Sequence, residues 1–237
     1  MANTTGSLLD WLALAVMLLC WGGYTVYARR KAQTTICLAS ILAMYRREWM
    51  LRLLNRENRV SDASWLTNLR AGVTFFASTS ILVIAGLIAG IAASEEAVGV
   101  LSTLPFVTTN TRELWQEKLM VMVLIFVYSF FEFTWSHRLY NFICVIMGSA
   151  PLSVDIEKRP IEQQVFATRT SKIMSNAAYH FNLGLRAYYF GMAAMAWFIS
   201  PWLFVMASLF VSGVLYHREF HSQVLKTLAY SQKETNL

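Results

Sequence analysis

Long blocks of apolar residues constrain this chain more than any other feature. Four of them cover residues 8–27, 72–93, 119–138 and 187–216, and a helix needs roughly 20 residues to cross the hydrocarbon core of a bilayer. Charged residues make up only 14% of the chain, against about 25% in soluble domains. The sequence therefore predicts an all-α polytopic membrane helical bundle, forming a single integral membrane domain over residues 1–237.

Two charged stretches are predicted to form amphipathic helices along the membrane surface. Apolar and basic residues alternate at helical spacing in 34–58 and 160–185, too densely charged for a span. Between them, Gly148 is expected to end the helix of the third block, and Pro160 to begin the next helix. A short apolar run at 97–107 is predicted to be re-entrant or interfacial.

The distribution of basic residues predicts the orientation. Of the 20 Lys and Arg residues, nine lie in 28–70 and six in 138–186, but only two lie in 94–118. The positive-inside rule makes the first two segments cytoplasmic. With four spans, and a kink at Pro201 in the fourth, both termini face outward. We expect a multi-pass protein of the bacterial inner (cytoplasmic) membrane.

Glu132 is a carboxylate inside the third span, where burial of a charge costs about 3 kcal/mol or more. Three arginines, Arg70, Arg138 and Arg186, are predicted to lie at one cytoplasmic level, and Arg70 or Arg186 can pair with Glu132 from a neighbouring helix. With Asn141, these residues form a candidate pore lining or an interhelical ion-pair network. Either role fits the sequence, and the structural clamp is slightly favoured.

Small residues mark the second span as a packing helix. Gly86 and Gly90 form a small-xxx-small face, which favours packing within the chain over an oligomer contact. Hydroxyl side chains at Ser78 and Thr79 either pack between helices or line a water path. His137 and His180 show no catalytic pattern.

His217 and His221 are the only weak candidates for metal ligands. They are four residues apart and would share a helix face, as in two-histidine metal sites. A third ligand is missing nearby, so no metal and no cofactor is predicted. The chain has three cysteines, Cys20, Cys37 and Cys144. An odd count argues against a disulfide framework, so all three are interpreted as small hydrophobic residues.

Other function classes receive little support. The net charge of +6 is not arranged as a basic stripe with aromatics, so no nucleic-acid partner is predicted. Phosphate loops, nucleophile elbows and zincin helices are missing from the sequence, which argues against an enzyme.

Several stretches resemble the domain of unknown function 599 family. They are LRAGVTFFASTSILVIAGLIA at 69–89, LIFVYSFFEFTWSHRLYNF at 124–142, LRAYYFGMAAMAWFISPWLF at 185–204 and REFHS at 218–222. The resemblance implies a small integral membrane protein of the kind found in bacteria and plants, and it assigns no activity. The motif positions it implies are Arg70, Arg138, Asn141, Arg186, Tyr188 and Tyr189, while Ala71 and Leu185 stand where the family often has asparagine.

The sequence leaves three functions open. The first is a homo-oligomeric, channel- or transporter-like protein whose arginine-rich cytoplasmic mouth favours anions. The second is a non-catalytic scaffold or accessory subunit of a larger membrane complex, with membrane lipid as a further partner. The third and weakest is a metal or redox protein.

Overall fold

The computed structural model describes residues 3–95, 111–151 and 160–235, and every regular element in these ranges is helical. Four helices are long and apolar enough to cross a membrane, at 8–34, 60–92, 112–148 and 201–229. The chain is thus an all-α, polytopic bundle, as predicted. In chain order its elements are α1 (Asn3–Thr34), α2 (Leu38–Leu54), α3 (Val60–Ala92), α4 (Arg112–Gly148), α5 (Pro160–Met195), a 3-10 turn (Ala196–Phe198), α6 (Pro201–Phe220) and α7 (Gln223–Thr235).

Local signals for helix ends hold well. Helix α4 ends at Gly148 and α5 begins at Pro160, as the sequence predicts. A capping interaction that sequence analysis did not identify begins α2: the Cys37 backbone N–H donates to Ser40 Oγ at 2.9 Å. The run at 97–107, predicted to be re-entrant or interfacial, lies outside the described residues.

The helices divide into two compact units. Unit 1 contains residues 1–31, 78–130 and 183–218, and unit 2 contains 32–77, 131–182 and 219–237. Helices α3, α4 and α5 are divided between the two units, and α1 and α6 lie in unit 1 apart from their last residues.

Unit 1 has an apolar core built from α1, α4, α5 and α6. Helix α5 enters this core with small residues, because Ala187, Gly191 and Ala194 are buried. Aromatic rings fill the space around them: Trp21 of α1 stacks on Phe190 of α5 with a centroid distance of 5.9 Å. The buried members of the core are Ala13, Leu14, Met17, Met122, Ile125, Phe126, Ala187, Phe190, Ala194, Trp197 and Phe204.

The predicted fourth span, 187–216, is divided between two antiparallel helices. The Trp197 ring stacks on Phe204 across the turn, with centroids 5.1 Å apart. Further from the turn, Arg218 Nη1 donates to the Tyr189 hydroxyl at 3.3 Å. A continuous helix would separate these two residues by about 43 Å. Pro201 therefore begins a new helix and does not kink an existing one.

This reversal fixes the direction of α6 within unit 1. Trp197, at the turn, contacts Asp10 near the start of α1. Tyr216, near the end of α6, contacts Tyr27 near the end of α1, with ring centroids 6.1 Å apart. The end of α6 therefore lies at the opposite end of unit 1 from Asp10.

Unit 2 gathers α2, α7 and parts of α3, α4 and α5. Helix α7 packs on α2, and Glu219 Oε1 accepts a hydrogen bond from the Ala39 backbone N–H at 3.0 Å. The two predicted amphipathic segments contact each other, since Arg47 Nη2 donates to Gln164 Oε1 at 2.6 Å. Burial lowers the pKa of the neighbouring Arg46, and the charge of Tyr140 opposes this shift.

Candidate functional site

Glu132 contacts His180 in unit 2. His180 Nδ1 of α5 lies 2.7 Å from Glu132 Oε2 of α4, and the side chains are 22% and 16% exposed. Sequence analysis found no carboxylate partner for His180, because the two residues are 48 positions apart. The partner of Glu132 is thus a histidine, where an arginine such as Arg70 was expected.

The helices that carry this pair are held together by other contacts. One turn beyond Glu132, the buried Ser136 hydroxyl donates to the Ala177 carbonyl of α5 at 2.8 Å. The fully buried Phe133 ring packs against Phe181, with centroids 5.6 Å apart. The ionisable pair therefore sits beside an apolar and hydroxyl contact that already fixes the docking of α4 against α5 here.

Arg70 and His137 lie on facing surfaces of α3 and α4. The Thr74 hydroxyl lies 3.2 Å from His137 Nδ1 and also bonds the backbone carbonyl of Arg70 at 3.0 Å. Arg70 itself reaches Cys144, with Nη1 at 3.9 Å from the sulfur. Its Nε atom is buried and has no hydrogen-bond partner among the described residues. A polar seam thus runs between α3 and α4 in unit 2.

Arg138 has a different environment from Glu132. It is exposed, and its guanidinium lies 6.0 Å from the Trp135 ring centroid and 5.7 Å from that of Phe142. Both rings are also exposed, which is typical of an aromatic and arginine anchor at a membrane surface. Asn141 is partly buried on the same helix.

Arg186 belongs to unit 1, where its guanidinium stacks 5.0 Å from the ring centroid of Tyr24. The neighbouring motif position Tyr188 bonds the buried Ser80 hydroxyl of α3 at 3.1 Å. Tyr189 bonds Arg218, as described above. These family positions of α5 therefore join it to three different helices of unit 1.

A buried charge cluster in unit 1 was missed by sequence analysis. Lys118 Nζ of α4 lies 3.1 Å from Asp10 Oδ1 of α1, and the two side chains are 1% and 5% exposed. Lys118 also donates to the Trp197 carbonyl at 3.1 Å, and Trp197 Nε1 donates to Asp10 Oδ1 at 2.6 Å. The cluster ties together α1, α4 and the turn before α6.

The predicted topology contained a signal for this pair. Asp10 is near the outer end of the first predicted span, and Lys118 directly precedes the third, which also begins outside. Opposite charges at one membrane level are candidates for pairing.

Gly86 and Gly90 of the second span have different surroundings. A Cβ at Gly90 would meet Leu119 Cδ1 at 3.6 Å, an ordinary contact, whereas a Cβ at Gly86 would have nothing within 4 Å. Gly90 thus packs within the chain, and Gly86 lies on an exposed face. Ser78 is exposed on the same helix.

The histidines at the end of α6 do not share a helix face. Helix α6 ends at Phe220, and His221 follows in a bend. Among the described residues, no group of three or more His, Cys, Asp or Glu is placed to hold a metal ion. Glu219, between the two histidines, instead caps the start of α2.

Comparison with known proteins gives a family match over most of the chain. A family described as protein of unknown function, DUF599, matches residues 12–224. This range includes Glu132, His180 and Lys118, and it begins two residues after Asp10. No curated protein and no solved structure matches the chain. The helical bundle and this match lead to one conclusion: the chain belongs to the DUF599 family.

Proposed function

We propose that this protein is channel- or transporter-like and acts in the bacterial cytoplasmic membrane, with Glu132 and His180 on its conduction path. The observation that carries the proposal is the 2.7 Å contact between the two side chains. An imidazole and a carboxylate at this distance can share a proton, and ionisable residues within membrane helices mark ion paths and proton relays. Both side chains are partly exposed, so the pair is within reach of water or of a substrate ion.

A purely structural role explains less of the geometry. A clamp between α4 and α5 is already provided by Ser136 and by Phe133, as shown above. Placing an ionisable pair beside such a contact costs desolvation energy. The two helices need little further stabilisation there, because the contact already holds them together. The pair is better explained by use of its charge or its proton.

The proposed topology has five crossings, because α5 and α6 are antiparallel in unit 1. The N terminus then lies outside and α7 lies in the cytoplasm. The three basic residues after 216 join the nine in 28–70 and the six in 138–186 on the inner side, against two in 94–118 outside. This distribution follows the positive-inside rule more closely than four crossings do. Arg70 would contribute positive charge near the cytoplasmic mouth and favour anions.

We also propose that the protein is a homo-oligomer. Ser78 and Gly86 are on the exposed face of α3, so a path lined by this face would run between copies of the chain. A second candidate function is an accessory subunit of a larger complex. The accessory role is favoured by the same helix, since little of the apolar stretch of α3 is buried within the chain.

Flux measurements test the primary proposal. The purified protein is reconstituted into liposomes, and proton and anion flux are followed with entrapped dyes. Wild-type protein should conduct, and Glu132→Gln and His180→Gln should each change the flux while leaving the assembly intact. Glu113→Gln is the matched control, because this carboxylate is exposed in the first turn of α4.

Two results would contradict the proposal. Wild-type liposomes with no more flux than protein-free liposomes would remove the transport function. Loss of assembly in both variants, with normal flux in the remaining folded fraction, would make the pair a structural clamp. The mass of the gently extracted assembly separates the candidates, since a stoichiometric foreign chain supports the accessory subunit.

A further inference from the structure

Three cations of unit 1 contact tyrosines that join α1, α5 and α6. They are Lys31, Arg186 and Arg218, which we call the cation triad. Each cation contacts a tyrosine of a neighbouring helix. Lys31 also contacts a tyrosine of its own helix. Because the cations come from three helices, their contacts join those helices in a closed ring.

The contact between α1 and α6 is made by Lys31. Its Nζ lies 2.6 Å from the Tyr27 hydroxyl of the same helix and 5.6 Å from the ring centroid of Tyr216. The Tyr27 and Tyr216 rings themselves lie 6.1 Å apart. An ammonium group is therefore held between two aromatic rings of neighbouring helices.

The other two contacts are made by arginines. Arg218 of α6 donates to the Tyr189 hydroxyl of α5 at 3.3 Å, and Arg186 of α5 lies 5.0 Å from the Tyr24 ring of α1. Nη1 of Arg186 is buried and forms no hydrogen bond with any described residue. A buried guanidinium N–H without an acceptor is costly, so an acceptor from outside the chain would stabilise it.

Acidic residues of unit 1 lie elsewhere. Within the described residues they are Asp10, Glu95, Glu113 and Glu117. Asp10 contacts the turn at Trp197, Glu95 pairs with Arg112, and Glu113 and Glu117 precede Lys118 on α4. All four are near the ends of helices opposite the cation triad. Glu219, which directly follows Arg218, accepts a hydrogen bond from the Ala39 backbone N–H. Three cations against this one carboxylate leave a net positive charge at the triad.

We infer that the cation triad binds the phosphate group of an anionic membrane lipid. Guanidinium groups match the geometry of phosphate oxygens, and Tyr189 and Tyr216 supply hydroxyls of the kind found at headgroup level. Lys31 lies about 31 Å along α1 from Asp10, which is the thickness of the hydrocarbon core. This places Lys31 at the cytoplasmic headgroup layer, and Tyr24, the partner of Arg186, about 10 Å closer to Asp10 along α1. Basic pockets between helices at this layer bind lipid phosphate. The inference does not rest on the proposed transport function.

Thermal melting of the full-length protein in nanodiscs tests this inference. Nanodiscs of phosphatidylglycerol, which is anionic, are compared with nanodiscs of phosphatidylcholine. Wild-type protein should melt several degrees higher with phosphatidylglycerol. Arg186→Gln and Arg218→Gln should lose most of this increment, and Arg218→Gln serves even if the more buried Arg186→Gln fails to fold.

Arg30→Gln is the matched control. Arg30 is exposed on α1, one residue before Lys31, so its loss removes one charge at the same level. It should keep the full increment. An equal loss in Arg30→Gln would overturn the inference in favour of diffuse attraction, and an equal Tm in both lipids would overturn it outright. If inorganic phosphate alone stabilises the detergent-solubilised protein, the ligand of the triad is a soluble phosphate and not a lipid.

Discussion

Lys118 and Asp10 form an ion pair that is almost completely buried, with Nζ and Oδ1 3.1 Å apart and side chains 1% and 5% exposed. Removal of one member leaves the other charge buried without its partner. We therefore expect Asp10→Asn to lower the free energy of unfolding by about 3 kcal/mol. Denaturant titration in micelles measures this change.

An exposed pair supplies the control for Asp10→Asn. Glu95 pairs with Arg112, and their side chains are 72% and 54% exposed. Glu95→Gln should cost less than about 1 kcal/mol. Adding Lys118→Met to Asp10→Asn should restore part of the loss, and strictly additive effects would show that the two charges are not coupled.

The reversal at Pro201 predicts the position of the C terminus. An epitope tag after Leu237 should be protected from antibody in spheroplasts and accessible only after the membrane is permeabilised. A tag at the N terminus should be accessible in intact spheroplasts. A C-terminal tag accessible from outside would restore the four-span topology and remove the crossing assigned to α5.

Gly191 is expected to leave little room for a side chain. A Cβ at this position would meet Cε2 and Cζ of Phe126 at 3.0 Å, and a ring within the core cannot move away cheaply. Gly191→Ala should cost about 1–3 kcal/mol through overpacking. The melting temperature of the purified protein checks this expectation.

Gly86→Ala is the counterpart with open space around the new methyl group. It should leave the stability of the single chain unchanged. A lower assembly mass for Gly86→Ala would support an α3 interface between copies, and a stability loss equal to that of Gly191→Ala would contradict the packing described for unit 1.

Asp62 should be important for unit 2. Its carboxylate is fully buried in the first turn of α3, and Trp49 Nε1 and Arg56 Nη1 each donate to Oδ1 at 2.5 Å. Asp62→Asn weakens two charge-assisted bonds, and we expect a loss of about 2 kcal/mol. Limited proteolysis of the α2–α3 segment detects the loosening. Glu48→Gln removes only the exposed pair with Arg52 and should leave the cleavage rate unchanged.

Sequence analysis succeeded where the signal is local. Gly148 and Pro160 mark helix ends through backbone chemistry that depends on one residue, and the structure confirms both. The start of α2 was less visible, because Cys37 is a rare capping residue.

Features that depend on packing between helices were not predictable in this way. The contact of Glu132 with His180 requires the register of α4 against α5, which no local pattern specifies. The antiparallel packing of α5 against α6 was not predicted, because Arg186 and His180 lower the hydropathy of α5. Its small buried residues, such as Ala187 and Gly191, are shielded from lipid by other helices and do not need to be strongly apolar.

The membrane crossing proposed for α5 has a consequence for biosynthesis. Helix α5 is not among the helices apolar enough to cross a membrane by composition, so it has little tendency to leave the translocon for lipid alone. It would have to wait there until α6 emerges, and the two would then enter the bilayer together as one hairpin. A ribosome stalled before Pro201 would thus hold a nascent chain with three inserted helices and a fourth still in the aqueous channel.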